Sequence, residues 1–126
     1  MERALITLAA LLLAATMAVH SLVGQRRLVR PLLDGAAGIM ANPLARFILP
    51  FAWHLTSGIG LVLAILLLAS AWVPAHALTI GLAASAALFT TSGLIDALGS
   101  RGRHIGWLPL TLIGLASLAA LLLRLG

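Results

Sequence analysis

His20, His54, His104 and Asp96 are the side chains best able to do chemistry in a chain of 126 residues that is 62% hydrophobic and only 9% charged. Neutral imidazole is the usual nitrogen ligand of haem iron, zinc and copper. His20 and His54 are the best pair of facing histidines for haem, with arginines nearby to hold its propionates. His20, His54 and His104 together, with Asp96 as a fourth ligand or as the group that orients one of them, suit zinc or another transition metal. A quinone headgroup hydrogen-bonded by His54 is a third form of ligand. Four histidines and three acids are too few for a membrane di-iron oxygenase. Ser57 and Ser92 lie near His54 and Asp96 in depth, but shared depth alone does not make a hydrolytic triad.

What the chain lacks narrows the chemistry further. It has no cysteine, which removes disulfides, thiol catalysis, iron–sulfur clusters and Cys-ligated zinc. It has no lysine, which removes a Schiff base or a phosphate-binding loop lysine. A soluble domain is about 45–50% apolar and about 25% charged, so this composition excludes a water-soluble globule. The net charge of +5 then points to membrane orientation and lipid headgroups, and away from nucleic acid.

The elements that must position these residues are read from runs free of charge. A span needs ~20 apolar residues to cross ~30 Å of hydrocarbon. Uncharged runs cover 4–25, 47–95 and 104–123. The middle run is too long for one span and breaks at Pro74, with Trp72 suited to a membrane interface. The expectation is an all-α, polytopic membrane protein: a bundle of four transmembrane helices near 4–23, 47–72, 77–98 and 104–124, forming a single domain over 1–126. Arg3, the apolar stretch after it and Ala15 to Ala18 also outline a signal peptide, but the run continues to Val23, which favours a retained span.

Arginine placement sets the expected orientation. Arg26, Arg27, Arg30 and Arg46 fall between the first two helices, and Arg101 and Arg103 between the last two. Arg3 and Arg124 flank the opposite ends. This distribution puts both Arg-bearing loops in the cytoplasm and both termini outside. The six loop arginines are expected to touch lipid phosphates. In the first loop Leu32, Leu33, Ala36, Ala37 and Met40 follow helical spacing, which suggests a short helix over 31–41 lying on the headgroups. Gly35 and Gly38 weaken it, and a plain ordered loop is the alternative. Asn42 and Pro43 form a cap and a first-turn proline. Pro50 should kink the second helix and free the carbonyl of Arg46.

In lipid, helices pack closely through small residues. Ala10, Ala14 and Ala18 make one such stripe, Ala52, Thr56, Gly60 and Ala64 a second, and Gly81, Ser85, Gly93 and Ala97 a third. The fourth helix is poorer, with Gly106 and Gly114. Such stripes also allow a homodimer. At a rise of ~1.5 Å per residue, His20, His54, Asp96 and His104 fall within ~10 Å of depth on the Arg-rich side, one from each helix. His76 lies in the opposite turn. Asp96 shares its face with Ser85, Phe89, Ser92 and Gly93, so it should point inward and meet a His or an Arg from a loop end. The sequence also halves into two similar hairpins: His20, Gly24 and an Arg pair precede the helix of His54, and Asp96, Gly99 and two arginines precede His104.

His20-Ser21-Leu22-Val23-Gly24, Phe51-Ala52-Trp53-His54 and Gly102-Arg103-His104-Ile105-Gly106-Trp107 resemble small four-helix bacterial membrane proteins of unassigned function. The resemblance covers nearly the whole chain and implies architecture without an activity. Where such proteins often carry an acid after the first motif, this chain has Gln25. The expected function is therefore a non-enzymatic scaffold or accessory subunit, in contact with lipids and with a larger membrane complex or a second copy. A haem, metal or quinone redox protein using the His/Asp cluster is the alternative, and a small proton-coupled transporter a second one. The transporter reading suffers because Asp96 is the only intramembrane acid and lies near the surface.

Overall fold

Long aliphatic runs with few interior breaks form long helices, and four dominate the fold. In the computed structural model, which describes every residue except Ala36, they are α1 (Glu2–Gly35), α2 (Pro43–Trp72), α3 (Ala77–Gly99) and α4 (Trp107–Leu125). Each is long and apolar enough to cross a membrane. Among the described residues there is no strand.

Local chemistry explains most of the boundaries. Asn42 caps α2 by accepting a hydrogen bond from the Leu44 amide at 2.9 Å, and Pro43 occupies the first turn, where its missing N–H costs nothing. Pro50 lies inside α2 without ending it. Pro74 closes the helix and opens a short 3-10 turn, Pro74–His76. At the end of α3, the Gly102 amide donates to the Ala97 carbonyl at 2.8 Å and the Arg101 amide to Leu98 at 3.2 Å. This double closure places Arg101 in the left-handed position, with φ 54°, where glycine is the usual occupant. A side chain there costs roughly 1–2 kcal/mol.

The first helix departs most from expectation. It does not stop near residue 23 but runs 34 residues. From His20 to Val29 it widens into a π-helix, where the Arg30 amide bonds to the Gln25 carbonyl, five residues back. The wide segment ends just before Pro31, whose ring and missing N–H would disrupt a regular α turn. Among the described residues, 31–41 does not form one separate helix. Residues up to Gly35 continue α1, Gly38–Ala41 make a 3-10 turn, and the Ala36 part of that expectation lies outside the described residues. α4 starts at Trp107, three residues later than expected, after a turn holding Gly102 and Gly106.

Consecutive helices run antiparallel. Thr7 near the start of α1 accepts from Trp72 Nε1 at the end of α2 (2.9 Å), whereas His20 meets Ser57. Phe47 lies on Gly99, and Leu66 lies on Gly81. Arg124 Nε donates to Thr79 Oγ1 at 3.0 Å, and Asp96 meets His104. This up-down order brings the turn before α2 and the turn before α4 to the same end, so Arg26, Arg27, Arg30, Arg46, Arg101 and Arg103 share it. The extensive contacts join α1 to α2, α2 to α3 and α3 to α4.

The tightest seam lies between α3 and α4. A Cβ on Gly93 would run into the backbone of Thr111, and one on Gly114 into the backbone of Thr90. Two reciprocal glycines thus bring the backbones together on the helix that looked poorest in small residues. The interior is otherwise built of alanine. Among the described residues, the buried apolar set is Val29 with Ala10, Ala64, Ala69, Ala71 and Ala86, while every helix exposes several leucines.

Candidate functional site

The widened stretch of α1 begins at His20, and it turns two neighbouring residues toward α2. His20 Nδ1 is hydrogen-bonded to Ser57 Oγ at 3.0 Å. Ser21 Oγ is hydrogen-bonded to His54 Nδ1 at 2.7 Å. The two contacts cross, so each helix gives one histidine and one serine to the seam. Trp53 completes it. Its indole stacks on the His20 ring, with centroids 4.1 Å apart and planes 9° from parallel, and its Nε1 donates to the His20 carbonyl at 2.9 Å. Ser57 also donates to the Trp53 carbonyl, at 3.4 Å.

Gly24 makes room for this stack. The Trp53 ring lies so close that a Cβ at Gly24 would enter it. Gly24→Val is therefore expected to displace the indole, break the His20 stack and lower stability by about 1–3 kcal/mol. Thermal unfolding in detergent checks this. Gly24→Val and Trp53→Phe combined should lose little more than Gly24→Val alone, because both act through one ring.

A second polar set closes the other hairpin. Asp96 is fully buried, and its Oδ2 accepts from His104 Nδ1 at 2.7 Å. His104 keeps about a third of its side-chain surface exposed. Gly106 leaves space for the pair, since a Cβ there would meet the His104 ring and Asp96 Oδ2. Asp96 Oδ1 has no hydrogen-bond partner, and neither has the buried Oγ of Ser100 one turn later. The inward aspartate and its partner from a loop end follow the sequence reading.

The four candidate residues thus fall into two sets, His20 and His54 between α1 and α2, and Asp96 and His104 between the end of α3 and the turn before α4. Among the described residues, no three of His, Cys, Asp and Glu gather as metal ligands. Ser21, Ser57 and Trp53 were not among the predicted site residues. Their signal lay in sequence, since Ser21 follows His20, Trp53 precedes His54, and Ser57 shares the face of His54.

The arginines divide as well. Arg46 Nη1 donates to the Leu33 carbonyl at 2.7 Å and lies 3.5 Å from that of Met40, so it clamps the end of α1 and the following turn onto α2. Arg30 lies 4.0 Å from Asp34 on an exposed surface, a contact worth little. Among the described residues, Arg101 and Arg103 have no carboxylate partner.

Two of the cavities at the Arg-rich end share Phe47 as a wall. One is an apolar cleft of about 450 Å³ between α2 and α3, bounded by Phe47, Phe51, His54, Leu88, Ser92 and Ile95 among others. Ser21 occupies the Nδ1 of His54, which leaves Nε2 as the nitrogen free for a ligand. The other, about 350 Å³, is bounded by Pro43, Leu44, Phe47, Ser100, Arg101 and Arg103. No family model, curated protein or solved structure matches the chain.

Proposed function

We propose that this is a non-enzymatic integral membrane protein, a scaffold or accessory subunit, whose histidines fasten helices together near its Arg-rich end. The inside-out composition supports membrane insertion: alanines lie inside, and each helix carries leucines on its outside. Water would penalise that surface at about 25 cal/mol per Å², whereas lipid does not. The arginine-rich end is then cytoplasmic in a bacterial inner membrane, with both termini outside.

The observation that carries the structural role is that His20 and His54 each bridge α1 and α2 through a serine of the facing helix, and His104 ties the turn before α4 to Asp96 of α3. Such contacts contribute ~0.6 kcal/mol each on average between membrane helices, and they fix the register of two hairpins. A haem or a three-histidine metal centre would instead need the imidazoles to converge on one ion. Proton-coupled transport would rest on Asp96 alone, which is held by His104 at the Arg-rich end. One observation favours a second reading, a quinone headgroup: His54 lines the apolar cleft.

The optical spectrum and metal content of the detergent-purified protein test the proposal. It predicts a colourless protein holding far less than one metal per chain, unchanged in His54→Ala. A haem Soret band, or about one zinc or copper per chain lost in His20→Ala, His54→Ala or His104→Ala, would overturn it.

A further inference from the structure

We propose that the two adjoining cavities at the Arg-rich end form one binding site for a single anionic phospholipid, its phosphate between Arg101 and Arg103 and one acyl chain along the α2–α3 cleft. The inference rests on the membrane reading above and adds a ligand to it.

The head cavity has the chemistry that a phosphate requires. Arg101 and Arg103 border it, and among the described residues neither guanidinium has a carboxylate to neutralise it. Guanidinium groups bind phosphate oxygens through paired, charge-assisted hydrogen bonds. Pro43 and Leu44 supply the opposite wall. They are the first two residues of α2, a helix of 30 residues whose N-terminal end favours an anion. Buried Ser100, its Oγ without a hydrogen-bond partner, also borders the cavity.

Backbone conformation adds a separate argument. Arg101 holds a left-handed φ of 54° at a position that glycine fills without strain. Strain kept at one residue is a pointer to what that side chain does. Here it sets a guanidinium on the rim of the head cavity.

The tail half rests on the wall that the two cavities share. Phe47 borders both cavities, and its ring lies across Gly99 and stacks with Phe51 at 5.8 Å. From there the cleft passes Pro50, Leu55, Leu88 and Ile95, an apolar path fit for an acyl chain. A free phosphate would use only the head cavity, and a neutral amphiphile only the cleft. An anionic phospholipid uses both.

Arg101→Gly makes the decisive variant, because it removes the charge while relieving the strained backbone, so the fold should survive. The experiment titrates phosphatidylglycerol, phosphatidylcholine, inorganic phosphate and a short-chain quinone into dodecyl-maltoside-solubilised protein. It reads thermal stabilisation and, by native mass spectrometry, the number of lipids retained. Phosphatidylglycerol is expected to stabilise the protein with one molecule held per chain, and phosphatidylcholine and the quinone to do so much less. Arg101→Gly with Arg103→Gln should weaken the phosphatidylglycerol response roughly tenfold or more, whereas Arg26→Gln with Arg27→Gln should leave it within about twofold. Equal responses to phosphatidylglycerol and inorganic phosphate would show a free-anion site and overturn the lipid. Equal responses to phosphatidylglycerol and the quinone, or an undiminished response in the Arg101/Arg103 variant, would overturn the site. Resistance of the protein to carbonate extraction from native membranes tests the membrane reading on its own, so the two failures are distinguishable.

Discussion

Gly114→Ala is expected to lower stability by about 3 kcal/mol, the upper part of the range for overpacking, and Gly93→Ala by a similar amount. In both cases the added methyl meets backbone on the facing helix, Thr90 for Gly114 and Thr111 for Gly93. Backbone cannot rotate away as a side chain can, so α3 and α4 must separate. Separation also pulls on the Asp96–His104 contact at the end of the same seam. Two other glycines calibrate the measurement. A Cβ at Gly58 would meet only the flexible end of Leu88, and a Cβ at Gly35 meets nothing. Gly58→Ala should therefore cost less than 1 kcal/mol or so, and Gly35→Ala should be neutral to slightly stabilising, by up to about 1 kcal/mol. Unfolding of the four variants in a mixed dodecyl maltoside and sodium dodecyl sulfate series gives the order directly. Equal stability of Gly114→Ala and Gly35→Ala would contradict the close seam.

His104→Ala carries the next largest effect. It leaves a fully buried carboxyl group without a hydrogen bond on either oxygen, since Oδ1 already lacks one. Removing one partner of a buried pair costs about 3–5 kcal/mol in soluble proteins, whereas coupling energies between membrane helices average only ~0.6 kcal/mol and reach ~1.7. The partial exposure of His104 places this pair near the rim, so a loss of about 2–3 kcal/mol is expected. Asp96→Leu with His104→Ala should recover part of that loss, because it removes the orphaned carboxyl as well. Asp96→Asn keeps an oxygen able to accept from the imidazole and should cost about 1 kcal/mol. These differences between variants are diagnostic, since a merely steric role for His104 would make the double variant worse than the single one.

Much of the architecture was legible because long uncharged, apolar runs are strong signals for long helices. Uncharged runs located four helices, Pro74 located the break between the second and third, and Asn42 with Pro43 located the start of α2. Asp96 read as inward because Ser92 and Gly93 share its face, and both are buried. The course of α1 was not legible. Its charged continuation past Gln25 looks like a loop on composition alone, and a π-helical register has no simple sequence period. His20 and Ser21 stand at its start, and both hydrogen-bond to α2. Depth along a helix placed four polar residues at one level, but depth carries no information on azimuth, and azimuth separates them into two sets. The hydrogen bonds of Arg46 to the Leu33 and Met40 carbonyls were not legible either, because they depend on a turn whose shape composition does not define. Trp53 was the residue most easily overlooked. Indole in a membrane helix suits an interface, and only the bare backbone of Gly24 lets it lie flat across α1 and cover His20.

The separation into two sets has a functional meaning. A cofactor centre requires its ligands to act on one atom, so every ligand substitution has the same consequence. Fasteners on separate hairpins act independently, and each substitution has its own. Additivity of stability changes tells these apart without any assumption about which ligand to look for. The decisive measurement is therefore a set of double-mutant cycles in one detergent: His20 with Ser57, Asp96 with His104, and His54 with His104. The account predicts coupling of about 1 kcal/mol within each of the first two pairs and additivity within about 0.5 kcal/mol for the third. Strong coupling between His54 and His104, with none between Asp96 and His104, would contradict it and restore a single shared centre.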